Sequence, residues 1–306
     1  MIDGITSFLA SDIRTATPIM IAALGLVFSE RAGIVNIGTE GLMLIGALMG
    51  VIGSLTTGSV LVGAIVAIAV TMFFSLIFGF FTITVRADQT VVGTAINIFA
   101  SGLTITLNRV VFGVSTSVPK IDVFDRVAIP VLSKIPVIGE AFFNQSIPVY
   151  LAFLAVPAAW FVLQKTNIGL KLRAVGEHPK ACDTVGINVL KTRYQAVLFS
   201  GFMAGLAGAF VSMGQLSFFT EGMIAGRGFM ALAAVVFGNY TPVGVMFAAL
   251  IFGAGEAMQY RLQAANTGIP YQFLVMLPYL ITVVAICMMS RRSNKPAASA
   301  VPYSKE

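Results

Sequence analysis

The chain has almost no charge with which to cover a surface: 13 acidic and 19 basic side chains in 306 residues, or 10%, where about 25% is ordinary for a soluble domain. That shortage excludes one or two soluble globular domains, whose exteriors need many more ionised groups. Histidine occurs once, as His178, and cysteine twice, as Cys182 and Cys287. Neither count supplies a disulfide framework or a metal-ligand spacing, and no cluster of carboxylates accompanies His178 to make a catalytic centre. No glycine is followed directly by lysine, so the chain has no phosphate-binding loop and is not expected to hydrolyse ATP itself. The net charge of +6 comes from Lys and Arg scattered between apolar tracts, not gathered with aromatics on one patch, which argues against nucleic-acid binding. No basic residue precedes Arg14, so the start lacks the character of a cleavable signal and the first helix is expected to stay in place.

What is present is apolar. Hydrophobic residues make up 57% of the chain, and mean hydropathy is +0.91. Uncharged tracts cover 41–85, 89–108, 141–164, 194–220, 228–255 and 262–290, each long enough to cross a bilayer. They lack the two-residue alternation of barrel strands, so helices must satisfy the backbone. The expectation is an all-α, polytopic transmembrane helical bundle. Spans read at about 15–29, 40–56, 60–85, 90–109, 147–164, 194–217 and 270–289; the region 228–259 adds a short or re-entrant segment, giving eight or nine in all.

Orientation follows from the basic residues. Loop 165–193 carries Lys165, Lys171, Arg173, Lys180, Lys191 and Arg193, and the tail carries Arg291, Arg292, Lys295 and Lys305. Both belong in the cytoplasm, which leaves the N-terminus and the segment 113–146 outside. Residues 1–290 then form one transmembrane domain and 291–306 a cytoplasmic tail. Parity requires a hairpin within 228–259, and Gly238-Asn239-Tyr240-Thr241-Pro242 provides its turn. The first arm, 228–238, is too short to cross the ~30 Å core alone; such broken helices are candidate transport elements. Gly46 with Gly50, and Gly201 with Gly205 and Gly208, predict close helix packing.

Within the basic loop, Pro179 suits a first helical position and Gly186 the position past a helix end, which predicts about two turns over 179–185. A helix so short persists only when packed on something, either the bundle or a cytoplasmic partner. The partner is the preferred reading, because the chain lacks an ATP site of its own.

These residues resemble the permease subunits of bacterial ABC importers of the branched-chain amino acid, simple-sugar and nucleoside class. The resemblance runs through Glu30-Arg31-Ala32-Gly33-Ile34-Val35-Asn36-Ile37-Gly38-Thr39-Glu40-Gly41, the loop from Arg173 to Gly186, Gly205-Leu206-Ala207-Gly208, Gly226-Arg227-Gly228-Phe229 and Ala233-Ala234-Val235-Val236-Phe237-Gly238. The Glu-Arg-Ala-Gly and Gly-Arg-Gly-Phe segments look most like the nucleoside type. The resemblance implies a multi-pass bacterial cell-membrane protein that forms a heterodimer with a related permease. It also implies a cytoplasmic ABC ATPase that uses the ATP, an extracytoplasmic substrate-binding lipoprotein, and no cofactor on this chain. It places the coupling element on Glu177, His178, Pro179, Lys180, Ala181, Cys182, Asp183, Thr184, Val185 and Gly186, with Cys182 where alanine is expected.

For the substrate pathway the candidates are Asn97, Phe219 and Glu256: an amide within an apolar span, a ring at an outer mouth and an intramembrane acid. Each has a plainer reading, respectively helix-to-helix hydrogen bonding, interface anchoring and a solvated rim. Asn36 is placed to cap the helix that carries Glu40 in its first turn. The competing functions are an ion-coupled secondary transporter using Glu40 or Glu256, and an importer of sugars or branched-chain amino acids.

Overall fold

The computed structural model describes residues 2–113, 121–128, 138–265, 270–289 and 294–304. Its helices are α1 (Ile2–Arg31), α2 (Thr39–Thr57), α3 (Val60–Gly79), α4 (Gln89–Phe112), α5 (Ile138–Phe143), α6 (Ile147–Lys165), α7 (Asn167–Glu177), α8 (Pro179–Thr184), α9 (Val189–Phe210), α10 (Arg227–Phe237), α11 (Pro242–Ala264) and α12 (Tyr271–Met289). Single π-type turns extend α3 over Phe80–Thr84 and α9 over Val211–Leu216. Among the described residues, seven helical stretches have the length and hydropathy to cross a membrane, and Arg227–Phe237 and Tyr271–Val284 are shorter apolar helices. A two-stranded antiparallel sheet, β1 (Arg126–Ala128) on β2 (Asn144–Ser146), pairs Arg126 with Ser146. It is a small addition to the all-helical expectation. α6 runs from β2 to α7, so the molecule has a sheet end and a loop end.

α1 is the central rod, and it starts well before the expected residue 15. Its polar first half hid it. Asp12, Thr15 and Thr17 are buried, and the threonine hydroxyls donate to carbonyls one turn back, Thr15 to Ser11 and Thr17 to Ile13, which lets a polar residue sit in an apolar bundle. Pro18 lies inside α1 and has no amide to give to the carbonyl of Arg14. Gln215 Nε2 supplies the missing donor at 2.6 Å.

α2, α3 and α9 interlock as the glycine spacing predicts. A Cβ on Gly205 would stand 2.1 Å from Thr71 Oγ1, and one on Gly208 would stand 2.0 Å from the carbonyl oxygen of Met43. Only hydrogen fits at either position, and the helices approach at backbone distance. Since Gly46 faces Gly205, Glu40, about 9 Å back along α2 at 1.5 Å per residue, lies level with the middle of α9. α2 therefore begins deep in the bundle, and irregular residues 32–38 cover the remaining depth. Their backbone groups find partners in side chains. Val35 N donates to Gln89 Oε1 at 2.8 Å and Asn97 Nδ2 donates to the Ile37 carbonyl at 3.0 Å.

Asn36 does not cap α2. Gly38 holds that position without a side-chain cap, and Asn36 Nδ2 donates to Ser200 Oγ at 3.2 Å instead. The expected hairpin is present as α10, the turn at 238–241 and α11. Its turn lies at the loop end, where Arg31 Nε donates to the Tyr240 carbonyl at 2.9 Å. So α10 is a half-helix that starts near mid-depth and reaches the loop end, preceded by the irregular stretch 217–226.

The tail residues 294–304 pack along the loop end. Ala298 N donates to Gly176 O and Ala300 N to Gly33 O, at 2.9 and 3.0 Å, and the fully buried Arg193 bonds the carbonyls of Ala32 and Val301 at 3.2 and 3.1 Å. Arg291 and Arg292, part of the orientation argument, lie outside the described residues.

Candidate functional site

A cavity of about 910 Å³ opens at the sheet end and descends to the start of α10. Ser11, Arg14 and Thr15 line it from α1, Asp122 and Asp125 from the segment leading into β1, Arg126 from β1 itself, and Gln145 from β2. Gln215 comes from the π turn after α9, and Arg227 and Tyr260 form its floor. The irregular segment is fastened over the cavity by its backbone, Ile121 N to Ser217 O and Phe124 N to Met213 O, both 3.0 Å. A π turn shifts the helical register by one residue, and here it carries Gly214, Gln215 and Leu216 into the cavity wall.

The lining offers both donors and acceptors. Arg14 Nε donates to Gln145 Oε1 at 3.0 Å, which holds the guanidinium in place and leaves its terminal nitrogens for a solute. Tyr260 Oη accepts from Arg227 Nη2 at 3.2 Å, so its own hydrogen is available to donate. A neutral solute rich in hydroxyls and ring nitrogens suits such a surface. A strongly charged one does not, because the arginines and aspartates balance locally.

The floor is rigid. Arg227 Nε lies 3.1 and 3.3 Å from the two carboxylate oxygens of Glu256, and both side chains are 7% exposed. Glu40 reaches across from α2 and accepts from Gly226 N at 2.8 Å and Gly228 N at 2.7 Å. It thereby satisfies the amide donors that a helix start leaves open, and it caps α10, not its own helix. Gly226 has φ +82°, a conformation glycine adopts without penalty, and Tyr279 Oη donates to the Ala225 carbonyl at 2.7 Å.

None of the three expected pathway residues lines the cavity. Glu256 is buried behind Arg227, not on a solvated rim. Phe219 is 3% exposed and belongs to the apolar core. Asn97 donates to Ile37 O as above and accepts from Gly41 N at 2.8 Å, so both ends of its amide hold the break before α2. Asn97→Ala is therefore expected to lower stability by about 2–6 kcal/mol, about 1–3 for each of two orphaned backbone groups, with substrate selectivity unchanged. Thermal unfolding and competition uptake measured together check both halves. Arg14 and Gln215 were not among the sequence candidates, and Arg227 entered only as part of the Gly-Arg-Gly-Phe segment; for the two arginines the available signal was that a charged group within an apolar stretch must face a partner or a solvated path.

At the loop end, α8 has Pro179 at its start and Gly186 just beyond it at φ +83°, close to expectation. His178, Lys180, Ala181, Thr184, Val185 and Gly186 face outward, Pro179 and Asp183 are half-buried, and Cys182 points in against Val175, Val189 and Tyr303. Burial pushes the Cys182 thiol above its ordinary value. Glu177 is exposed, and its Oε2 accepts from Ala297 N at 3.2 Å.

Residues 8–287 match the family described as "Branched-chain amino acid transport system / permease component". The chain belongs to this permease family. The permease is 42% identical to the guanosine ABC transporter permease protein NupQ of Bacillus subtilis, over 95% of this chain and 94% of that one. It is 37% identical to the nucleoside ABC transporter permease protein NupC of Lactococcus lactis, over 100% and 99%. A putative glucose ABC transporter permease protein, TsgC13 of Haloferax volcanii, is 34% identical over 97% of each chain. No solved structure matches the permease. It is a multi-pass membrane protein of the ABC transporter class.

Proposed function

We propose that this permease forms half of the pathway of an ATP-driven importer for nucleosides. Residues 113–146 and the cavity mouth face outward, and loop 165–193 and the tail face the cytoplasm. On this reading α10 and the irregular stretch before it complete an eighth crossing and α12 a ninth, with the N-terminus outside. The observation that carries the substrate assignment is the full-length similarity to proteins named for guanosine and nucleoside transport. The cavity accommodates it: about 910 Å³ lies within the ~300–1,000 Å³ usual for small-molecule sites, and its groups suit ribose hydroxyls and base edges. Arg14, Gln215 and Tyr260 are the residues proposed to touch the solute, with Glu256 acting through Arg227.

A binding lipoprotein delivers the nucleoside, a related permease supplies the other half, and an ABC ATPase docks on Glu177 to Gly186. Val185 is 73% exposed, an apolar anchor for the ATPase groove. Closure of the ATPase pair pushes α8, and the push reaches the bundle as rigid-body rocking. The ion-coupled alternative rests on Glu40 and Glu256, and both are engaged by protein groups, Glu40 by Gly226 N and Gly228 N and Glu256 by Arg227; the acid left for such a carrier is Asp12, whose Oδ1 is buried without a hydrogen-bond partner among the described residues.

The test is uptake of labelled nucleoside into vesicles holding both permeases, the ATPase and the binding protein, with glucose and branched-chain amino acids as competitors. Uptake is expected to need ATP, to survive a protonophore and to be competed by nucleosides alone. Cys182→Pro removes the bond from Cys182 N to His178 O, now 3.1 Å, and is expected to lower uptake at least about ten-fold, the factor set by ~1.4 kcal/mol, as is Glu177→Lys. Competition by glucose alone overturns the substrate, protonophore collapse overturns the mechanism, and unchanged uptake in both variants overturns the coupling site.

A further inference from the structure

A second large cavity, about 950 Å³, lies away from the solute site, between α6 and α9 toward the loop end. Ala155, Ala159, Val162, Phe199 and Met203 contribute to apolar walls, and no acidic side chain lines it. At its rim stand Lys171 of α7 and Lys191 of α9. Both are exposed, and among the described residues neither ammonium forms an ion pair. On α7 itself Ile168 and Leu170 are 63% and 58% exposed, interleaved with Lys171 and Arg173. A short helix that exposes large apolar side chains beside cations lies in the membrane interface, its apolar residues in the acyl boundary and its cations at headgroup level.

We infer that this groove is a binding site for an anionic phospholipid. The phosphodiester sits between Lys171 and Lys191, and one acyl chain lies along the wall from Val162 to Met203. Two cations with no counter-ion among the described residues, at the mouth of an apolar, membrane-depth groove, match a phosphate on a hydrocarbon chain. A polar solute would leave the walls uncovered. The site lies beside Gly186 and Asn188, directly after the proposed coupling helix, so the lipid would wedge the connection between α8 and α9. That the lipid belongs to the cytoplasmic leaflet, and only that, rests on the orientation proposed above.

The experiment counts lipid on the purified transporter by native mass spectrometry after equilibration with equal phosphatidylglycerol and phosphatidylethanolamine. The expected result is preferential retention of phosphatidylglycerol, a loss of at least about ten-fold in that preference for Lys171→Gln with Lys191→Gln, and no change for Lys165→Gln. Ala159→Trp, which fills the groove while keeping both charges, is expected to remove the bound lipid as well. Equal retention of the two lipids overturns the inference. So does a double variant that still prefers phosphatidylglycerol, or a cross-link from Ala158→Cys to another subunit, which would show the groove filled by protein. Labelling of Lys180→Cys from outside intact cells would overturn the orientation and leave the lipid count standing.

Discussion

Arg227→Met and Glu256→Met each lose about 3–5 kcal/mol of stability, the cost of leaving one buried charge without its partner, while the double variant recovers most of that loss. The pair is buried on both sides and joined at 3.1 Å; Arg227 meets solvent only where it floors the cavity, and Glu256 lies behind it. Desolvation of the two ions opposes their attraction, so removing both is far less harmful than removing one. Thermal unfolding of the four proteins in detergent gives the coupling directly; losses that add within about 0.5 kcal/mol would mean no coupling. Uptake is expected to behave differently from stability. Arg227 forms the cavity floor, so the double variant folds and does not transport.

The second large effect is at Glu40. Its carboxylate holds Gly226 N and Gly228 N at 2.8 and 2.7 Å, and Glu40→Ala orphans both donors well inside the bundle. With about 1–3 kcal/mol for each buried donor left without a partner, the loss is about 2–6 kcal/mol. Glu40→Gln retains one acceptor oxygen and falls between. Melting temperatures in the order wild type, Gln, Ala are the expected result. If instead both variants keep wild-type stability and uptake loses a dependence on pH or sodium, Glu40 is an ion site and the carrier reading replaces the capping one.

Several features were legible from charge and punctuation alone. The hairpin at α10 and α11 followed from a parity argument and the Gly-Asn-Tyr-Thr-Pro turn, and α8 followed from Pro179 and Gly186, because backbone restrictions are local and travel with the residue. The first half of α1 was not legible, since hydropathy counts Asp12 and Thr15 as polar while the fold satisfies the threonine within the bundle. The site was least legible. Arg227 and Glu256 are 29 positions apart, Glu40 and Gly226 are 186 apart, and no periodicity connects them. Asn97 was recognisable as a polar group in an apolar span and Asn36 as a cap, yet Asn97 bonds Ile37 O and Gly41 N around a break in the chain and Asn36, inside that break, bonds Ser200 of α9, a course only the packing determines.

α9 and its π turn together run without interruption from Val189, beside α8, to Leu216 in the cavity wall, roughly 42 Å at 1.5 Å per residue. The notches at Gly205 and Gly208 prevent it from sliding: a shift of one residue would drive a Cβ into Thr71 or Met43. What remains is tilt about that waist. With Gly205 as fulcrum the arms are roughly 24 Å toward Val189 and roughly 15 Å toward Gln215. If α8 is pushed as proposed, the motion at Val189 arrives at Gln215 reversed in direction and reduced by a little over one third, a geared-down stroke that trades distance for force at the proposed solute site.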